Sequence, residues 1–189
     1  MKDISTMGMT QEASVVSNKA LDNTIAVANY YHVECYDGAG NFKWKETIKN
    51  LVTTEGLNYI MNAGFKSGAQ IATWYVGLKD TGAPAANDSS ANIGAQAWTE
   101  YTEYNAANRA ALTLGSVTAG VVSNTGSVAS FTIASPAPDV YGVFIVDDNT
   151  KGGQSPATVL YGVGDFTGAK VVDPNDTLNV TVTLSAASA

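Results

Sequence analysis

The sequence predicts an all-β, mainly antiparallel domain, β-sandwich or jelly-roll-like, with one short helix and an extended N-terminal arm. Three observations carry this. Short runs rich in Val, Ile, Thr and Tyr recur between Gly, Pro, Asn and Asp clusters. Several runs alternate apolar and polar residues with a period of two, the mark of a strand with one buried face. Only one stretch carries a helical period with matching end signals.

Residues 1–29 contain no aromatic residue and no sustained period. Such a segment does not offset its own ordering entropy and orders only against something else. The expected division is therefore an arm, 1–29, and a β domain, 30–189. Val15-Val16 and Ile25-Ala26-Val27 are the apolar points of the arm, and Val15, Val16, Ile25 and Val27 are its expected anchors.

Tyr30–Asp37 and Phe42–Lys49 flank Gly38-Ala39-Gly40 and predict a hairpin. In its second strand Phe42, Trp44 and Ile48 alternate with Lys43, Lys45 and Lys49, which places the aromatics inward and the lysines outward; Glu46 interrupts the apolar row. The helix is expected from Thr54 to about Phe65. Thr53 or Thr54 caps it, Glu55 complements its N-terminal dipole, Leu57, Ile60, Met61 and Phe65 form its stripe, and Gly64 and Gly68 mark its end. Ile71–Leu78 is a strand with Trp74, Val76 and Leu78 on one face. Residues 79–97 form a long loop without a core pattern.

Further strands are expected at Leu112–Val117, Val128–Ala134, Val140–Val146, Thr158–Val163 and Leu178–Leu184. Val140–Val146 is apolar on both faces and reads as a central strand. Asp173-Pro174-Asn175-Asp176 is a turn, because proline presets φ and Asn and Asp tolerate tight conformations.

Chemistry is sparse. The 189 residues include one histidine, His32, one cysteine, Cys35, and one arginine, Arg109. Those side chains do much of the acid–base, nucleophilic and anion-clamping work in enzymes. A lone cysteine makes no intrachain disulfide, and Cys35 is expected as a buried thiol. Residues 1–79 hold seven Lys and seven acidic residues, whereas residues 80–189 hold three basic and ten acidic ones, which accounts for the net charge of −7. An acidic body repels phosphate backbones, so no direct nucleic-acid contact is expected. No apolar run approaches the ~20 residues that span a bilayer, and the start Met-Lys-Asp-Ile-Ser-Thr shows no signal peptide. No membrane association, cofactor or metal is expected.

Glu100 and Glu103 sit among Trp98, Tyr101 and Tyr104. Carboxylates beside aromatics occur in glycosidases, yet residues three apart on a strand face opposite ways. The aromatic trio is expected at an interface or in the core, with a sugar-stacking platform as the alternative. Asp147-Asp148-Asn149 with Gly152-Gly153 lacks the ordered ligand set of a calcium loop and reads as a polar hairpin turn. His32 shares a strand face with Glu34, too few ligands for a metal site. Gly162-Val163-Gly164-Asp165 opens no helix and is no nucleotide loop. Lys43, Lys45, Lys49 and Lys66 read as edge-guarding lysines.

Several segments together resemble a known group. Thr53-Thr54-Glu55-Gly56-Leu57-Asn58-Tyr59-Ile60, Thr73-Trp74-Tyr75-Val76-Gly77-Leu78, Ala97-Trp98-Thr99-Glu100-Tyr101, Tyr141-Gly142-Val143-Phe144, Tyr161-Gly162-Val163-Gly164-Asp165-Phe166 and Asp176-Thr177-Leu178-Asn179-Val180-Thr181-Val182 resemble virion structural proteins of tailed bacteriophages. The likeness runs from Tyr31 to Leu184 and is closest to the capsid cement or decoration class. It implies a protein made in the bacterial host cytoplasm and added to the virion. Its expected partners are the major capsid protein and copies of itself, as a homo-oligomer. A tail or head–tail accessory role, or a carbohydrate-binding module of a tail fibre, is the alternative. No catalytic residues follow from the resemblance.

Overall fold

A computed structural model describes residues 25–93 and 98–188. The chain folds into two antiparallel sheets packed face to face, with one helix. The first sheet contains β1 (Ile25–Tyr36), β2 (Phe42–Lys49), β7 (Val121–Ser123), β8 (Ala129–Thr132) and β11 (Thr177–Ser188). The second contains β3 (Leu51–Val52), β4 (Trp74–Lys79), β5 (Glu100–Tyr101), β6 (Ala110–Leu112), β9 (Val140–Val146) and β10 (Leu160–Lys170). The helix α1 spans Thr54–Phe65. The strand order is β2-β1-β11, with β7 and β8 on the far edge of β11, and β3-β10-β9-β4, with β5 and β6 on the far edge of β4.

The two long terminal strands form the spine of the first sheet. β1 and β11 pair without a slip from Ile25↔Ser188 to Tyr36↔Thr177. Alternation then sends Tyr31, Val33 and Cys35 of β1 and Leu178, Val180 and Val182 of β11 into the core, all fully buried. They meet Val76, Leu78, Val143 and Ile145 of the second sheet in one cluster. β1 begins at Ile25, so residues 25–29, expected in the arm, belong to the domain. Val15 and Val16 lie outside the described residues.

The β1–β2 hairpin forms as the sequence predicts. Gly40 takes φ +85°, and the Asp37 carboxylate accepts from the Ala39 and Asn41 amides at 2.9 and 2.8 Å. Its face is less regular than expected. Phe42 is exposed, and Lys43 pairs with Asp173 at 2.8 Å and with the buried Asp176. Lys43 therefore bolts the hairpin to the Asp173–Asp176 turn and is no edge guard. Glu46, the interruption in the row, pairs with Lys170 at 2.6 Å.

β9 justifies its apolar composition. Val143 and Ile145 face the inter-sheet core, whereas Phe144 and Val146 face a second cluster with Ile93, Trp98, Leu160 and Val163. Residues of the long connection after β4, expected to lack a core role, cover this outer face. The buried Asp88 carboxylate holds the Trp98 indole N–H at 2.7 Å and the Ala85 amide at 2.8 Å. Trp98 packs on Phe144 with ring centroids 5.4 Å apart. β3, β5 and β7, each of two or three residues, are too short for a period to appear in the sequence.

α1 sits where expected, but its apolar stripe does not face inward. The Thr53 hydroxyl accepts from the Gly56 amide at 3.0 Å and donates to the Leu160 carbonyl at 2.5 Å. Glu55 reaches across the connection, accepting from the Leu160 amide at 2.6 Å and the Ser90 amide at 2.9 Å. The helix thus docks through its N-terminal turn, with Ile60 packed against the core. Leu57, Met61 and Phe65 are 45%, 56% and 71% exposed. The left-handed residue after the helix is Ser67, at φ +58°, rather than Gly64 or Gly68.

Gly56 permits the docking, since a Cβ there would stand 2.2 Å from the Tyr161 carbonyl oxygen. Helix propensity favours alanine over glycine by about 1 kcal/mol, but the opposing atom is backbone. Gly56→Ala is expected to destabilise by about 1–3 kcal/mol, the usual range for overpacking, seen as a lower denaturant midpoint. A midpoint raised by the substitution would show that α1 is not held against β10.

Candidate interaction surface

Of the two carboxylates that invite a catalytic reading, Glu103 is half-buried and accepts only from the neighbouring Thr102 hydroxyl at 3.4 Å, whereas Glu100 is built into the structure. Glu100 and Arg109 form a buried ion pair. The Arg109 Nε donates to Glu100 Oε1 at 3.0 Å and Nη2 donates to Oε2 at 2.7 Å, with side-chain exposures of 3% and 0% for Glu100 and Arg109. Arg109 also donates to the carbonyls of Asp148 and Gly153, both at 2.9 Å, and its guanidinium lies 5.3 Å from the Phe144 ring centre. Gly152 N–H completes the set on Glu100 at 2.8 Å. Three donors thereby engage both carboxylate oxygens of Glu100. The Asp147–Gly153 segment is the polar turn expected, now with a reason: its carbonyls serve Arg109, and Asp147 Oδ1 accepts from the Val159 amide at 2.6 Å.

Trp98, Tyr101 and Tyr104, expected as interface anchors or a sugar platform, are 1%, 2% and 2% exposed. Trp98 covers Phe144, and Tyr104 stands edge-on to Phe131 at 5.1 Å. They are core residues and offer no stacking surface. His32 bonds Thr47 Oγ1 at 2.7 Å and Glu34 at 3.4 Å. Hydrogen bonds from Tyr36 and His32 hold the Glu34 carboxyl below its ordinary pKa. Gly162 admits Asn50 close to the β10 backbone, and Asp165 pairs at 2.7 Å with Lys79, whose side chain is wholly buried. No group of three or more His, Cys, Asp or Glu among the described residues can hold a metal ion. No helix among them is long and apolar enough to cross a membrane.

What remains open is an apolar end of the sandwich. β2 pairs with β1 only from Tyr30 to Tyr36, so among the described residues Ile25–Ala28 pair with β11 alone. The inward side chains of this ribbon border a groove of about 280 Å³, whose walls include Ile25, Val27, Ile60, Val122, Tyr161 and Leu184. A second hollow of about 190 Å³ shares Ile60, Tyr161 and Leu184 and reaches Trp74. Ile25 is 68% exposed at the groove mouth. Ile60 links groove and helix, beyond which lies the exposed Leu57, Met61, Phe65 row. Two of the expected anchors, Ile25 and Val27, are thus part of a groove wall. Periodicity found the stripe of α1, but its direction depends on Gly56 contacting Tyr161, a tertiary fact. Comparison with protein-family models, curated proteins and solved structures finds no match.

Two outcomes follow from the buried groups. Replacing Arg109 with alanine leaves Glu100 charged and dry, and the expected loss is about 3–5 kcal/mol; Arg109→Lys, which cannot form the fork, is expected to recover only part of it in equilibrium unfolding. Wild-type stability in either variant would remove the pair from the structural account. Cys35 is buried near Asp176, and burial first, with that carboxylate second, pushes its thiol from an ordinary value near 9 up to about 12. Because the folded state holds this proton more tightly, its contribution to stability is complete below pH 9 and is lost as pH rises towards 12. At pH 8 the native thiol is expected to resist iodoacetamide, and mass spectrometry should find one adduct only after unfolding.

Proposed function

We propose that this chain is a non-enzymatic structural protein of a tailed-phage virion. It acts as a capsid cement or decoration protein that binds and stabilises the shell, and further copies of itself, through surface burial and its N-terminal arm. The observation that carries a contact function is the apolar end of the sandwich: a groove left open among the described residues, beside a helix that turns Leu57, Met61 and Phe65 to solvent. Contiguous apolar surface of this kind marks association sites. The virion setting is supported by the resemblance of the segments around α1, β4, β9, β10 and β11. Of the residues at the apolar end, Leu57, Ile60, Trp74 and Tyr161 fall within those segments.

The mechanism is burial of apolar area repeated over a symmetric shell. Each contact is modest, and many copies acting together give the particle its gain in cohesion. The acidic body, with net charge −7, is kept away from packaged nucleic acid and lies on the outside of the shell.

The test is co-sedimentation of purified protein with empty heads of the phage that carries its gene, followed by electron microscopy. Saturable binding is expected. Met61→Glu with Phe65→Glu should weaken it by about tenfold or more, while stability stays within ~0.5 kcal/mol because both sites are exposed. A protein that stays monomeric and never sediments with heads overturns the proposal.

A further inference from the structure

Among the described residues one edge of the first sheet lacks a neighbouring strand along Ile25–Ala28, and it borders the groove. The Asn50 amide donates to the Asn29 carbonyl at 2.8 Å on the β2 side of β1. Backbone groups alternate along a strand, so the N–H and C=O of Ile25 and Val27 also point to that side, where no strand lies among the described residues. The side chains of the same two residues wall the groove. A row of donors and acceptors with no partner strand among the described residues, over an apolar trough, is the arrangement that accepts an added strand, the edge giving affinity and the trough taking alternate side chains.

We propose that this edge and groove receive residues 13–16, Ala13-Ser14-Val15-Val16, from a second copy of the chain. The inference rests on the reading that the chain assembles with copies of itself, and it names the place where they join. Twenty-four residues precede Ile25, and among them Val15-Val16 is the only adjacent β-branched pair. Residues 13–18 carry no charge, between Glu12 and Lys19, which matches a groove whose lining contains no charged residue.

Register argues against the chain filling its own groove. A hairpin turning at Asp22-Asn23 would set Ala20 opposite Ile25 and Asn18 opposite Val27. One turning over Asp22–Thr24 would set Leu21 opposite Ile25 but Lys19 opposite Val27. Directly opposed residues share a face, so either hairpin drives a polar side chain into the trough at a desolvation cost. A segment from a second copy is free of that register. The nine residues from Val16 to Ile25 span about 30 Å when extended, enough to cross between neighbouring copies.

Two chains test it, one carrying Val16→Cys and the other Val27→Cys, the groove-wall residue of β1 beside which the added strand would lie. The native Cys35 is buried and stays silent. Mild oxidation of the mixture is expected to give a disulfide-linked dimer on a non-reducing gel, containing one chain of each kind. Val16→Asp is expected to lower the oligomeric mass in sedimentation. No cross-link in the mixture, an internal disulfide in a monomer of the doubly substituted chain, or an unchanged mass for Val16→Asp overturns the inference. Head binding is read separately. Chains that saturate heads without cross-linking overturn the exchange and leave the proposed function standing, whereas chains that cross-link yet ignore heads support the exchange and overturn the virion role.

Discussion

The buried fork between Arg109 and Glu100 is the constraint on which the second sheet depends. It is the chain's single arginine, and it holds together parts that share little regular pairing: the two-residue β5, the start of β6 and the connection between β9 and β10. These segments have too few ladder hydrogen bonds to hold themselves. The guanidinium stacks over Phe144, the residue that Trp98 covers from the connection after β4. A charge pair thus sits at the join between the outer apolar cluster and the irregular end of the sheet. Such a pair resists removal of one partner far more than it adds net stability over an apolar pair.

A second set of polar clasps does similar work elsewhere. Lys43 joins the first hairpin to the Asp173–Asp176 turn, Lys79 joins β4 to β10 through Asp165, and Glu55 joins the helix to β10 and to Ser90. In a chain with only 14% charged residues, much of the charge is committed to internal joints. That leaves a surface low in charge, the condition under which an apolar end can serve for association without competing repulsion.

The parts legible in the sequence were those with a strong local cause. The β1–β2 turn follows from Asp37 and Gly40, α1 from the Thr53 cap, and β9 from apolar residues on both faces. What was not legible was set at a distance. β3, β5 and β7 exist because longer strands offer them an edge, and two or three residues carry no period. The same spacing of Leu57, Met61 and Phe65 fits an inward or an outward face, and the contact of Gly56 with Tyr161 decides it. Trp98, Tyr101 and Tyr104 have the composition of an exposed platform, yet Asp88 and the outer face of β9 draw Trp98 inside. Arg109 stood out only as a singleton. Its partner Glu100 was visible, but the carbonyls that complete its shell come from residues 39 and 44 positions away.

The register of β1 with β11 has a consequence in time. Ile25 is paired with Ser188, and the strands are joined over twelve rungs. Contacts between residues so distant along the chain close slowly, because a large loop must be brought together before any rung forms. On the ribosome β1 has only its hairpin partner β2 until β11 emerges. The ribbon that borders the groove therefore comes into being only once β11 has been made, and until then the apolar end has no second wall.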